Sequence, residues 1–201
     1  MRALIAALAV AGVTLVGYGA WTLRSGDPIT AAIEHRTQHN LRHFVSRHVD
    51  GCRVRHGVVG ILRIPKIGVK QVVVQGTATE DLKKGPGHYP TTGLPGQSRA
   101  IAIAGHRTTW GAPFLRLDSL RRGDRVILCG VSYRITTVYV VNANAWQILK
   151  GHGERLILTT CHPVYSASHR LVVKAVPATS VPSRLATRRR PALRASGLVD
   201  A

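Results

Sequence analysis

The sequence predicts a mainly β domain, a closed or nearly closed barrel with short helical turns, carried behind an N-terminal transmembrane helix. Three observations predict it. Positions 3–23 run without a charge between Arg2 and Arg24, long enough to cross a bilayer as a helix. From position 57 onward, short apolar β-type runs alternate with turn residues. Between those runs only 113–120 and 79–82 read as helical, so a closed barrel, which leaves no exposed strand edge, is the economical architecture. Apolar residues make up 45% of the 201 positions and are spread through the middle of the chain, enough to bury one core of roughly 120 residues.

The elements follow in order. Segment 1–24 is an anchor. A cleaved signal peptide is the competing reading, but Tyr18-Gly19-Ala20 is a poor A-x-A cleavage site, and so long an apolar stretch favours an uncleaved span. So short an N-terminus places the bulk of the chain outside the cell, although Arg36, Arg42 and Arg47 weigh the other way under the positive-inside rule. Segment 25–56 reads as a basic, partly helical stalk starting at Pro28 and ending near Gly51. It carries His35, His39 and His43 on one face. That spacing suits a metal ion, but no carboxylate or cysteine completes a ligand set there, and a solvated stalk without metal is the expectation. Segment 57–177 is the barrel, with strands at 58–64, 69–74, 100–104, 125–128, 133–141, 155–160 and 171–176 and an eighth allowed for. Segment 178–201 is rich in Ser, Pro, Arg and Ala without periodicity and reads as a disordered tail.

Charge narrows the partners. The 28 Lys and Arg against 9 Asp and Glu give +19, which calls for a polyanion nearby. Much of the excess flanks the domain, at 36–55 and 184–194, as suits a surface beside anionic lipid. A nucleic-acid module would interleave basic residues with stacking aromatics, and aromatics are only 5% here, so nucleic acid is not an expected partner.

Three cysteines leave at least one thiol free within the chain. Cys161 follows the apolar run 156–160 and precedes His162-Pro163, where a strand breaks off and a side chain can face a cleft. Cys129, beside Gly130, and Cys52, in the stalk, read as ordinary thiols or as a disulfide with each other. A thiol attacks as thiolate and needs a base or cation nearby. His106, which follows the run 100–105 and is trailed by Arg107, is the best base. Arg170 opens the strand after the Cys161 loop and can lean back as an oxyanion donor. Each of these three, taken singly, is more often a packing or surface residue.

Together they resemble the sortase signature: a His after a strand in GHR at 105–107, a TLxTC-type strand in LILTTC at 156–161, and an Arg opening the last strand in HRLVVKA at 169–175. LRIPKI at 62–67, GPGHYP at 85–90, LPGQ at 94–97 and LRRGD at 120–124 also fall in the family's order, so the resemblance covers 58–176. Ile157 stands where the family often has Thr, and Ser98-Arg99 where Gly-Asn is common. The resemblance implies an eight-stranded sortase-type β-barrel and a cysteine transpeptidase without cofactor. Cys161 would cleave a C-terminal LAXTG- or LPXTG-like sorting signal between Thr and Gly, and an amine of a peptidoglycan precursor or another protein would resolve the thioacyl intermediate. His106 would be the proton carrier, Arg170 the oxyanion donor, Thr160 a shaping residue and Tyr89 part of the pocket for the signal's second position. The TTCHP and GHYP runs and the single anchor are most similar to class E, found in actinobacteria, with the catalytic domain extracellular and exported proteins as partners.

Other Cys-His classes fit less well. An L,D-transpeptidase would show Ser-x-Gly-Cys-x-Arg, whereas Thr159-Thr160 precede Cys161 and the Arg lies nine residues on. Papain-like enzymes place Cys before His in the chain. The non-enzymatic alternative is a membrane-tethered β-barrel module that binds anionic wall polymer.

Overall fold

The computed structural model describes residues 1–25, 28–48 and 51–178. The Arg-rich tail beyond Ala178 lies outside the described residues.

Helix α1 (Arg2–Ser25) carries the uncharged run. Its window Arg2–Trp21 has mean hydropathy 2.0 and none of it is buried by protein. At 1.5 Å per residue such a helix reaches across the apolar thickness of a bilayer, and it fits a single span.

Helix α2 (Pro28–His48) does not stand clear of the barrel as a stalk would. It lies against the first two strands, with Glu34, Gln38 and Val45 buried at the contact. The spacing i, i+4, i+11 puts all three on one stripe. Gln38 does the work of a missing strand: its Oε1 accepts from the Val72 amide at 2.7 Å and its Nε2 donates to the Val72 and Lys84 carbonyls at 3.0 and 2.8 Å. The opposite face keeps His35, His39 and His43 exposed, and the rings of His39 and His43 lie 5.1 Å apart.

Eight strands close a barrel: β1 (Val58–Ile64), β2 (Val69–Gln75), β3 (Gly87–His88), β4 (Ala100–Ala104), β5 (Arg125–Leu128), β6 (Val131–Asn142), β7 (Arg155–His162) and β8 (His169–Pro177), in the order β1-β2-β3-β4-β7-β8-β6-β5. β3 is only two residues long, too short to show a period in sequence, yet it bridges β2 and β4. The expected helix at 113–120 shrinks to a 3-10 turn at Leu117–Ser119, whereas α3 (Thr79–Leu82) forms as read. Strand β7 continues through Cys161 to His162 rather than stopping before the cysteine, because Cys161 and His162 pair with Arg170 and His169 of β8.

The pattern Ala-Ile-Ala-Ile-Ala in β4 sorts the two faces of the sheet by size. Ile101 and Ile103 point into the main core with Leu62, Phe114, Leu156 and Val173. Ala100 and Ala102 join Ile157 and Val172 on the other face, packed under Tyr89, Ile148 and Leu149. All five β4 residues are buried, as suits a strand paired in parallel and covered on both sides. The small side chains on the outer face leave room there for a cleft.

Cys52 and Cys129 form a disulfide, the second of the two readings open to them, and Cys161 is the free cysteine. The bond ties the segment after α2 to the end of β5. Gly60 of β1, at φ 151°, runs so close that an added Cβ would sit 2.5 Å from Cys129 Sγ.

Two outcomes follow from these contacts. The cross-link spans 77 residues, for which the loop-entropy account gives on the order of 4 kcal/mol. Reduction, or Cys52→Ser, is therefore expected to lower the melting temperature by roughly 10–20 °C while Cys161 remains titratable as a thiol. Second, burial raises the Glu34 carboxyl to about 7 from 4.5, against the lowering pull of Arg42 and a hydrogen bond from Gln71. The native state holds a proton that the unfolded chain releases between pH 4.5 and 7, so this group costs stability increasingly as pH rises through that window, by about 3 kcal/mol in all. Glu34→Gln should melt higher than the natural chain at pH 8 and match it at pH 4; an equal difference at both values would refute the assignment.

Candidate active site

Parallel pairing between β4 and β7 builds the site. Their register, Ala100 with Arg155 through Ala104 with Thr159, sets both C-terminal ends side by side, so the residues following β4 and those at the end of β7 meet at one end of the barrel. Two hydrogen bonds carry the tie past the last ladder pair. The Gly105 amide donates to the Thr159 carbonyl at 3.1 Å, and the Thr160 hydroxyl donates to the Gly105 carbonyl at 2.8 Å. His106 follows directly.

On β7, alternation places Ile157, Thr159 and Cys161 on the outer, alanine-side face. On antiparallel β8, Arg170 and Val172 share that face, and Arg170 is the cross-strand neighbour of Cys161. A cleft of about 240 Å³ opens there, and His106, Thr160, Cys161, Arg170 and Tyr89 all line it. The five residues singled out from sequence thus converge on one cavity. Its remaining walls include Leu82 and the 3-10 turn Trp146–Leu149 with its preceding loop.

The electrostatics are simple. Burial lowers the pKa of His106, because desolvation disfavours the imidazolium. Its Nε2 is buried and has no hydrogen-bond partner among the described residues, so that nitrogen is open to exchange a proton. No carboxylate is hydrogen-bonded to the ring among the described residues. Arg170 donates through Nη1 to the Ala167 and His169 carbonyls at 2.9 and 3.0 Å, which fixes the guanidinium at the mouth of the cleft. The Tyr89 hydroxyl lies 3.2 Å from Thr159 Oγ1, pinning the phenol ring against β7 two residues before the thiol.

Sequence reasoning left Arg107 as a mere follower of His106. It is in fact almost fully buried and hydrogen-bonded to the Cys161 carbonyl at 3.1 Å. A charged residue directly after a strand-end His was the available signal, but nothing local announces a contact spanning 54 positions. His88, expected only as part of a motif, is likewise buried, with Nε2 2.8 Å from the Gly93 carbonyl and Nδ1 2.9 Å from Gln75 Oε1. Burial lowers its pKa; it is a packing residue of β3, the strand that leads into Tyr89.

The fold and these side chains define a class: a closed β-barrel with a cysteine, a histidine and an arginine gathered at one end of a parallel strand pair. Residues 62–178 match the sortase domain family, more than half of the chain, and the chain belongs to the sortase family. It is similar to Sortase D of Bacillus subtilis (strain 168), 38% identical over 110 residues, covering 52% of this chain and 54% of the relative. Sortase SrtE1 of Streptomyces coelicolor is 28% identical over 134 residues, covering 56% and 38%. The chain thus spans about half or less of the length of these curated relatives. Among solved structures, sortase E from Streptomyces avermitilis is 35% identical, with a TM-score of 0.56, covering 62% of this chain and 90% of that one.

Gly105 offers a direct check on how tightly His106 is held. An added Cβ there would lie 2.6 Å from Phe114 Cδ2, and Phe114 is fully buried. Gly105→Ala is expected to cost about 1–3 kcal/mol of stability and to lower the rate of any reaction that uses His106. Unchanged melting and unchanged rate would show that the Phe114 contact is not constraining.

Proposed function

We propose that this chain is a membrane-anchored sortase transpeptidase that cleaves an LAXTG- or LPXTG-like sorting signal between Thr and Gly and joins the exported protein to an envelope amine. The observation that carries the reading is the convergence of Cys161, His106 and Arg170 on one cleft of a sortase barrel. Neutral His106 takes the thiol proton as Cys161 Sγ attacks the Thr carbonyl carbon. The developing oxyanion is held by N–H groups of Arg170 other than Nη1, which is engaged with the backbone. As the Thr–Gly C–N bond breaks, the imidazolium passes its proton to the leaving amine, and a thioester to Cys161 remains. An incoming amine then attacks that carbonyl, His106 takes the amine's proton, and the thiolate leaves and is reprotonated.

The partners in this reading are exported proteins bearing the signal and a peptidoglycan precursor or similar acceptor. Helix α1 serves as a single-pass span that keeps the barrel on the outer side of the cell membrane. The Cys52–Cys129 disulfide supports an oxidising compartment. Tyr89, fixed by Thr159, stands in the cleft as a wall for the signal's second position, and Thr160 shapes the site through Gly105. Likeness to a sortase E at 35% identity supports the class E reading with LAXTG.

The test is peptide turnover by the full-length chain in detergent micelles, with LAXTG and LPXTG peptides offered beside an amine. Cys161→Ala should abolish turnover and thioacyl trapping. His106→Ala should lower kcat/KM by about 10²–10⁴-fold, and Arg170→Ala by about 10²–10³-fold, with melting preserved. Turnover retained by Cys161→Ala, or absent from the natural chain with both peptides, would overturn the reading and leave the barrel as a binding module.

A further inference from the structure

Arg107 is 3% exposed, and its guanidinium reaches three elements at once. Nη1 donates to the Cys161 carbonyl at 3.1 Å and lies 2.9 Å from His162 Nδ1. Nη2 donates to Asp118 Oδ2 at 2.7 Å, in the 3-10 turn Leu117–Ser119. Its own backbone continues directly from His106, whose carbonyl accepts from the Phe114 amide at 3.1 Å. One planar fork therefore links the peptide that carries the imidazole to the peptide that carries the thiol, and braces both against the loop running from β4 towards β5.

Two features mark this contact as more than packing. A buried guanidinium is costly, and Nε of Arg107 finds no acceptor among the described residues, yet two of the three groups facing its Nη nitrogens lie at the end of β7, where Cys161 sits. Arginine also has only donors, so His162 Nδ1 must carry the lone pair and the ring its proton on Nε2. The side chain after the nucleophile is thereby held in one tautomer and one orientation.

We infer that Arg107 is a positioning residue that sets the separation of the His106 imidazole and the Cys161 thiol, with Asp118 as its anchor and His162 as its second contact at the nucleophile strand. This rests on the transpeptidase reading for its rate measurements, but not for its thiol measurements. The planar fork spans two acceptors on β7 and one on the turn; a lysine ammonium, whose three donors share one nitrogen on a flexible stem, does not hold them in that fixed geometry. Asp118 is about half exposed, so water replaces part of what its loss removes.

The experiment compares the natural full-length chain in detergent micelles with Arg107→Lys, Arg107→Gln and Asp118→Asn. It reads kcat and KM for an LAXTG peptide, the rate of Cys161 alkylation by iodoacetamide, and the melting temperature. Arg107→Lys should lower kcat about 10–100-fold with KM within about threefold, and should make alkylation insensitive to a further His106→Ala change, whereas the same change in the natural chain is expected to slow it. Asp118→Asn should lower kcat about 3–10-fold in the same pattern, and being on the surface it reports even where the Arg107 variants melt early. Wild-type kcat and wild-type, His106-dependent alkylation in Arg107→Lys would overturn the inference, as would a loss confined to KM. If the natural chain turns over no peptide while Arg107→Lys still uncouples alkylation from His106, the positioning role stands and the substrate reading falls.

Discussion

The parallel pairing of β4 with β7 is the constraint on which the site depends. These strands are more than fifty residues apart in the chain, and the segment between them has to travel through β5 and β6 before β7 can return beside β4. Parallel neighbours end at the same edge of a sheet, whereas hairpin neighbours end at opposite edges. Only the parallel arrangement brings the residues after Ala104 next to those after Thr159. β8, antiparallel to β7, then starts where β7 stops, and Arg170 falls opposite Cys161 without any special loop.

Around that pairing the molecule divides its work by side-chain size and polarity. Large branched residues fill the barrel, while the alanines of β4 keep the outer face shallow enough for Tyr89, Ile148 and Leu149 to build cleft walls above it. Burial at the strand ends lowers the pKa of His106 and leaves its Nε2 without a partner among the described residues, an unmatched buried nitrogen that costs stability. The disulfide and the Gln38 contact hold the segment before the barrel in place, so α2 is a brace rather than a spacer. Its N-terminal turn touches the loop after His106, where the Trp110 amide donates to Thr30 Oγ1 at 2.8 Å and Gly111 runs against Glu34. Three successive residues there, Trp110, Gly111 and Ala112, have positive φ, a conformation that persists only where the surroundings hold it.

A positively charged chain with few acids makes each carboxylate informative. Asp118 faces the buried Arg107, Asp124 pairs with Lys66 at 2.7 Å, Glu154 accepts from the Tyr133 hydroxyl at 2.6 Å, and Glu34 of α2 is buried beside Gly111. Four of the nine acids thus sit at contacts between separate segments of the chain. Among the described residues the basic side chains, Arg107 apart, are by contrast largely on the outside.

Seven of the eight strands, the apolar N-terminal helix, and the roles open to the cysteines were legible in the sequence, because each is a local pattern: a run of apolar residues of the right period, or a cysteine at the end of one. His106, Cys161 and Arg170 could be picked out for the same reason, each standing where an apolar run meets a turn. What sequence alone could not decide is which strands lie side by side. That choice turns on the packing of the whole barrel, and so the two-residue β3, the docking of α2 through Glu34 and Gln38, the Cys52–Cys129 pairing and the Arg107 fork emerge only in three dimensions. Each of these depends on a contact between residues beyond the reach of a local period, and a one-dimensional pattern carries no distance of that kind.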